Sequence, residues 1–458
     1  MPAKSGYIND LNMILATDFY QLTMSAAYFQ SNLENHIKDE QDIATFDLFI
    51  RKFPYNRNYL IFAGLEQVIH YLQNARFTER SIDFLRRKEV FKNIDKQFFD
   101  EYLPKFKFKL DVWAMKEGNF FFPNEPIMRI QGPMIHAQLA ETYILNVINY
   151  QTIVASKASR IKNIAPNKIL LEFGTRRSHS PLAGIYAARA SYIAGFDGTS
   201  NVAADIELGI NSSGTMAHSF VQRFDDEMES FDSYYRLYGN ESILLIDTYD
   251  TERAAKSISK FKNTIRAVRI DSGDLIEHSK KVREILNKNG CDEVLIVASS
   301  DLNEYKIKEM LDKKAPVDAF GIGTELATSR DDPTLAAVYK LIDYIGKPKI
   351  KTSEDKVTFP GIKQVHRIYD KNGLVKEDLM MLDNEDPPPE SEPLLIPVMI
   401  KGDLIASLPS LDEIQLYYLS NIEKLPKQFK NLEENHSFKV RISKKLNELT
   451  NSLKQKHS

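Results

Sequence analysis

From Lys168 onward the chain returns repeatedly to short apolar runs, and this recurrence limits its fold more than any other feature. The runs are KILLEF (168–173), SILLID (242–247), IRAVRID (265–271), EVLIVAS (293–299), VDAFGIG (317–323) and AVYKLI (337–342). Most lie roughly 20–30 residues apart, with helical spacing of apolar positions between them. Strand, loop and helix in this rhythm build βα units around a parallel sheet or barrel. No sequence repeat accompanies the rhythm, which argues against a solenoid.

The flanks have a different texture. Residues 8–30 read as a loop entering a helix that Thr17 or Asp18 can cap. Residues 44–50 read as a strand and 59–72 as an amphipathic helix. Between 106 and 136, Gly118, Pro123, Pro126 and Pro133 break the chain into KFKLDVWAM, FFFPNEPIMRIQ and PMIHAQL, read as short strands. A long helix follows from about 139 to 164. After Lys349 short strands return as KVTFPG, QVHRIYD, LMML and LLIPVMI, expected to join the earlier β layer. The acidic proline run NEDPPPESEP (384–393) is expected to be an exposed loop. The expected organisation is an N-terminal α+β domain over 1–138, completed by about 350–435. An α/β barrel over 139–349 and a C-terminal surface helix over 436–458 make up the rest.

Composition narrows the function. A chain of 458 residues with 43% hydrophobic and 27% charged residues can bury a sizeable core. Its net charge of −3 gives no footprint for nucleic acid or a membrane surface. A single cysteine, Cys291, excludes a disulfide framework or a cysteine zinc site within one chain. The start, MPAKSGYINDLNM, lacks a signal-type apolar core. The most apolar helical stretch, 140–158, is interrupted by Asn146, Asn149, Gln151 and Lys157, too polar to span a bilayer. The expectation is a cytoplasmic protein without nucleic-acid or membrane partners.

In parallel α/β folds, ligands bind beyond the carboxyl ends of the strands. The ends here alternate between anion binders and carboxylates. They are Phe173-Gly174-Thr175-Arg176-Arg177, Asp247-Thr248, Asp271-Ser272-Gly273-Asp274 with Arg269 just before, Ser299-Ser300-Asp301, and Gly321-Ile322-Gly323-Thr324-Glu325. Glycine amides and small hydroxyls cradle phosphate, guanidinium faces it, and carboxylates accept from ribose hydroxyls or hold hydrated Mg²⁺. Each aspartate can instead be a helix cap or turn residue. His218 follows Gly214-Thr215 in a small-residue loop, where its ring could act as base, donor or phosphoryl acceptor, or simply pack.

Together these stretches resemble the nicotinate phosphoribosyltransferase family. The matching segments are LATDFYQLTM (15–24), 46–53, 172–224 with EFGTRR and GTMAHSF, VRIDSGD (268–274), FGIGT (320–324), 338–341, KTSEDKVTFPG (351–361) and 397–409. They cover nearly the whole chain in family order. The resemblance implies an irregular α/β barrel of the type II phosphoribosyltransferases, with an N-terminal domain, in a homodimer with shared active sites. It implies that nicotinate and 5-phosphoribosyl 1-diphosphate give nicotinate mononucleotide and diphosphate, coupled to ATP hydrolysis with Mg²⁺, at the entry to NAD salvage.

By that resemblance, Phe173 and a partner subunit's Tyr20 clamp the pyridine ring. Arg176 and Arg269 face the diphosphate and the nicotinate carboxylate. Asp271 binds ribose hydroxyls or hydrated Mg²⁺, and Asp247 is a second metal-side candidate. Gly323 and Thr324, with Ser299 and Ser300, hold the 5-phosphate. His218 matches the histidine that ATP phosphorylates. In the related nicotinamide enzymes an Asp falls where Ser200 stands here, and a serine does not repel a carboxylate. Three rivals remain: the nicotinamide enzyme, quinolinate phosphoribosyltransferase (shorter, without TDFYQLTM), and a non-catalytic pyridine or nucleotide binder on the same scaffold.

Overall fold

The computed structural model describes residues 13–352 and 358–456. Contacts divide the chain into two units, 1–152 with 334–458, and 153–333. The second unit holds the recurring strands. They are β1 (Ile169–Glu172), β2 (Gly198–Thr199), β3 (Ile243–Leu245), β4 (Ala267–Ile270), β5 (Leu295–Ser299) and β6 (Ala319–Ile322). Their order across the sheet is β2-β1-β6-β5-β4-β3, and every pairing is parallel.

Ile243, Ala267, Val297 and Ala319 pack as one apolar layer of this sheet. The edge strands β2 and β3 are bridged by backbone alone. Residue Thr199 of β2 donates to Asn211 O at 3.1 Å and accepts from Ser213 N at 2.8 Å. At the other end Met216 N donates to Ile243 O of β3 at 3.5 Å. Segment 211–216 therefore spans both edges, and the sheet curls into an irregular α/β barrel.

Connecting helices begin where sequence chemistry dictates. Ser180 caps Pro181–Ile193, which starts on Pro181, where a missing N–H costs nothing. Asn201 caps Val202–Leu208, and Asp274 caps Leu275–Lys288 through two amides. Asp274 thus serves as a helix cap.

The other unit centres on a seven-stranded sheet that includes Ala337–Tyr344, Ile43–Ile50, Met128–Pro133, Asp111–Ala114 and Ile396–Ile400 in that order. A four-stranded sheet contains Glu392–Pro393, Lys363–Tyr369, Val375–Leu382 and Val440–Ile442.

Several expectations are corrected here. The run 337–342 is not a barrel strand but pairs antiparallel with Ile43–Ile50, so that boundary falls at 333/334 instead of 349. The first boundary lies at 152/153 instead of 139. The early turns of Glu141–Ile164 belong to the first unit, where Tyr143 stacks on Tyr71 and Gln151 bonds Gln67. PMIHAQL is mostly the helix Met134–Leu139.

Among the described late strands, Ile396–Ile400 joins the earlier layer through Asp111–Ala114 and carries Asp403–Leu404 at its edge, while Lys363–Tyr369 and Val375–Leu382 build their own sheet. The first two residues of KVTFPG, 356 and 357, lie outside the described residues. The acidic proline run ends in an edge strand that pairs Glu392 with Arg367. The tail is more than a surface helix: Val440–Ile442 pairs with Val375–Leu382, and Leu446 is fully buried.

The four-stranded sheet is anchored by an ion pair. Arg367 and Asp378 have side chains 1% and 0% exposed and meet at 2.7 and 3.0 Å. The guanidinium also donates to Asn119 Oδ1 and Phe120 O and lies over the Phe120 ring. Each guanidinium nitrogen has a hydrogen-bond partner. Removing it strands a buried carboxylate, at a cost of about 3–5 kcal/mol. Arg367→Met should lower stability by that amount in denaturant unfolding, and a loss under about 1 kcal/mol would show that Asp378 is not left uncompensated.

Candidate active site

Parallel pairing points the carboxyl ends of β1, β2, β4, β5 and β6 to one rim of the barrel. There a cavity of about 530 Å³ opens. Nine expected site residues line it: Phe173, Arg176, Ser200, Arg269, Asp271, Ser299, Ser300, Gly323 and Thr324.

One wall is a charge-paired cluster. The Arg269 guanidinium meets Asp271 Oδ1 at 2.7 Å and donates to Ser299 Oγ at 2.8 Å and Thr215 Oγ1 at 2.6 Å. Ser299 in turn donates to Asp271 Oδ1 at 2.5 Å. Ser299 is buried and occupied in holding this pair, so it serves the Arg269–Asp271 unit before any phosphate. Just behind, Asp247 Oδ2 accepts from Asp271 N at 2.9 Å and from Ser272 Oγ at 2.5 Å. Its Oδ1 is buried with no hydrogen-bond partner. Asp247 therefore props the Asp271 turn and caps no helix.

The opposite wall is open charge. Among the described residues Arg176 and Arg177 make no side-chain hydrogen bond or ion pair, and both line the cavity exposed. They stand on the short turn Thr175–Arg177, closed by Arg177 N and Ser178 N on Gly174 O. Arg269 is already neutralised by a carboxylate, whereas these two present full positive charge to an anion.

Phe173 lies between the walls. A Cβ on Gly321 would come within 2.5 Å of its ring, so only glycine lets the ring seat there. The backbone at Ser300 and Asp301 has φ of 111° and 41°, a strained conformation at the rim.

Three expected residues stand off the lining: Asp247, just behind it, and His218 and Tyr20. His218 opens the helix His218–Gln222, and its Nδ1 lies 3.0 Å from Thr248 Oγ1. Thr215, three residues earlier, does reach the cavity. Tyr20 belongs to the other unit, where its hydroxyl donates to Glu141 Oε2 at 2.8 Å. Burial and then the Glu141 carboxylate push its phenol well above the usual range, so it stays a neutral donor. It is 49% exposed.

Thr175, Arg177, Asp301 and Gly321 belong to the strand ends read as ligand-binding but had no individual role, and Ser213, Gly214 and Thr215 had none either; all seven line the cavity. For Thr175, Arg177, Asp301 and Gly321 the signal was adjacency to an assigned residue, while Ser213, Gly214 and Thr215 stand in the small-residue loop before His218. Glu172 was also missed. As the last residue of an apolar strand it reads as filler, yet its side chain is fully buried. It accepts from Gly174 N at 2.5 Å and Thr199 Oγ1 at 2.7 Å.

A parallel barrel whose rim gathers free guanidinium, glycine, hydroxyls and a carboxylate around such a cavity defines a binder of phosphorylated, hydroxyl-bearing ligands. Comparison with known proteins makes this specific. Family models described as the nicotinate phosphoribosyltransferase N-terminal domain, family and C-terminal domain match residues 15–149, 169–368 and 388–450. A nicotinate phosphoribosyltransferase of Mycobacterium tuberculosis is 39% identical over 94% of this chain and 92% of its own. One of Bacillus subtilis is 36% identical over 95% and 94%. The solved structure of human nicotinic acid phosphoribosyltransferase superposes with a TM-score of 0.84 at 27% identity, covering 95% of this chain and 99% of that one. The chain belongs to the nicotinate phosphoribosyltransferase family. Among the described residues no helix is long and apolar enough to cross a membrane.

Burial, opposed by the two hydrogen bonds, pushes the Glu172 carboxyl from its ordinary 4.5 up to about 7. The folded chain then holds that proton more tightly than the unfolded chain. The resulting stability is complete below about pH 4.5 and is lost as pH rises through about 7. Between these limits the loss is about 3 kcal/mol. Denaturant unfolding of the wild type minus Glu172→Gln should show a fall of that order across this window. A flat difference would contradict a buried, uncompensated carboxylate.

Proposed function

We propose that this chain catalyses phosphoribosyl transfer from 5-phosphoribosyl 1-diphosphate to nicotinate, giving nicotinate mononucleotide and diphosphate, the entry step of NAD salvage from nicotinate. The observation that carries the reading is the single cavity that joins an aromatic face, two unpaired arginines, a carboxylate and a glycine–threonine turn in a member of this family.

Each group has a task. Phe173 stacks on the flat pyridine ring. Arg176, with its fork free, takes the nicotinate carboxylate or the diphosphate, and Arg177 adds charge beside it. Gly323 and Thr324 hold the 5-phosphate, with Ser300 beside them at the end of the neighbouring strand. Asp271, oriented by Arg269, Ser299 and Asp247, accepts from the ribose hydroxyls. The pyridine nitrogen supplies its lone pair to C1, and the C1–oxygen bond breaks with its electron pair leaving on diphosphate. No protein base is needed, because the nucleophile carries no proton. The arginines act on the negative charge that develops on the leaving group. A serine at position 200 leaves the nicotinate carboxylate unopposed, which disfavours nicotinamide as the preferred substrate.

Mg²⁺ fits this site as a companion of the substrate. Asp247 Oδ1 is a buried carboxylate oxygen without a partner, and Asp271 lies beside it. Among the described residues no three acidic, histidine or cysteine side chains converge on a metal cluster, which suits an ion held largely by diphosphate oxygens and water. When bound, Mg²⁺ would neutralise the leaving diphosphate. ATP enters as a co-substrate. A His218 ring nitrogen takes the terminal phosphoryl group with ADP leaving, and water later hydrolyses the phosphohistidine. Thr248 fixes the ring for this. The exposed Tyr20 suits donation across a homodimer, as the second face of the partner's pyridine site. The enzyme would act in the cytoplasm.

The test is diphosphate release from 5-phosphoribosyl 1-diphosphate and Mg²⁺. Release should require nicotinate and rise with ATP. His218→Ala should abolish the ATP effect and leave ATP-independent release within about threefold. Arg176→Ala should cut kcat/KM about 100-fold, the loss expected for a charge-assisted contact in a partly closed site. Release with nicotinamide alone would refute the substrate assignment, and no release with either pyridine would favour a non-catalytic binder.

A further inference from the structure

Glu172 lies beneath the cavity at a junction that no reacting group occupies. Its Oε1 accepts from Gly174 N, and Gly174 O closes the turn that carries Arg176 and Arg177. Its Oε2 accepts from Thr199 Oγ1, whose oxygen accepts from Asn201 N at 3.1 Å. The Glu172 carbonyl accepts from Ser200 N at 2.9 Å. Asn201 then caps the helix Val202–Leu208. One side chain therefore ties the Phe173–Arg177 turn on β1 to the Thr199–Asn201 turn on β2.

The junction has no slack. A Cβ on Gly174 would come within 2.7 Å of Glu172 Oε1 and 2.4 Å of Ala327 Cβ. Among the described residues no cation pairs with the carboxylate: burial, the Thr199 hydroxyl and the Gly174 amide are what act on it. Such a group is costly to bury, and a shorter or apolar residue could not hold both turns.

We propose that Glu172 is a positioning residue for the pyridine end of the site. It sets the gap between the Phe173–Arg177 turn and the Ser200 turn, and so governs nicotinate binding far more than 5-phosphoribosyl 1-diphosphate binding. The proposal rests on the assignment of Phe173, Arg176 and Ser200 to the pyridine substrate. The phosphate turn at Gly323–Thr324 is held from β6 and makes no hydrogen bond to the Glu172 side chain.

The test is steady-state kinetics on the full chain with both substrates varied. Glu172→Ala should raise KM for nicotinate at least tenfold, with KM for 5-phosphoribosyl 1-diphosphate and kcat each changed less than threefold. Glu172→Gln keeps an acceptor for Gly174 and a group that bonds Thr199, and should restore KM for nicotinate to within threefold of wild type. Thr199→Val removes one tie without shortening the glutamate, and stands in should the alanine variant fail to fold. It should raise KM for nicotinate in the same selective way. Combined with Glu172→Ala it should add less than twofold, because both changes break one unit. Equal rises in both KM values, a selective fall in kcat, or no rescue by glutamine would overturn the proposal. An inactive wild type would instead refute the assigned reaction, so the two failures are distinguishable.

Discussion

Parallel strand pairing is the constraint on which this site depends. Six strands drawn from 169–322 run in one direction, so their carboxyl ends share one rim. Phe173 and Thr324 are about 150 residues apart in sequence, yet both line one cavity because β1 and β6 are hydrogen-bonded neighbours. The polarity of the rim follows from the same fact. Strand ends carry the glycines, hydroxyls and charges, while strand interiors carry alanine, valine and isoleucine that pack as the core.

Closure of the barrel supplies the second half of the site. The β2 and β3 edges do not pair directly; segment 211–216 is threaded between them. That segment delivers Ser213, Gly214 and Thr215 to the cavity, and Thr215 binds the Arg269 guanidinium. An edge that would otherwise leave open backbone groups becomes a binding loop. The two arginine environments then differ in kind. Arg269 is locked by Asp271, Ser299 and Thr215, whereas Arg176 has no side-chain partner among the described residues.

Much of this was legible in the sequence, for identifiable reasons. Local apolar runs gave five of the six barrel strands, the strand ends gave eight of the lining side chains, and Ser200 came from the family resemblance. Relations between distant segments were not legible. The run 337–342 has the texture of a barrel strand, and only its pairing with Ile43–Ile50, some 290 residues away, places it in the other unit. Nothing local distinguishes the two outcomes, since a short apolar run carries no label for its partner. Glu172 was hidden for a related reason. Its role lies in bonds to Gly174 and Thr199, and a single acidic residue closing an apolar strand gives no sign of the second. Ser299 was read as a phosphate ligand because a serine at a strand end is a donor, but the Arg269–Asp271 pair claims it.

The central claim is that one rim seats a pyridine ring and a ribose phosphate at opposite ends. The measurement that tests it most directly is a crystal structure with nicotinate mononucleotide bound. The account predicts the pyridine ring stacked on Phe173 with its carboxylate toward Arg176, and the 5-phosphate within hydrogen-bond distance of Gly323 and Thr324. A mononucleotide bound in the reverse orientation, or outside this cavity, would contradict it.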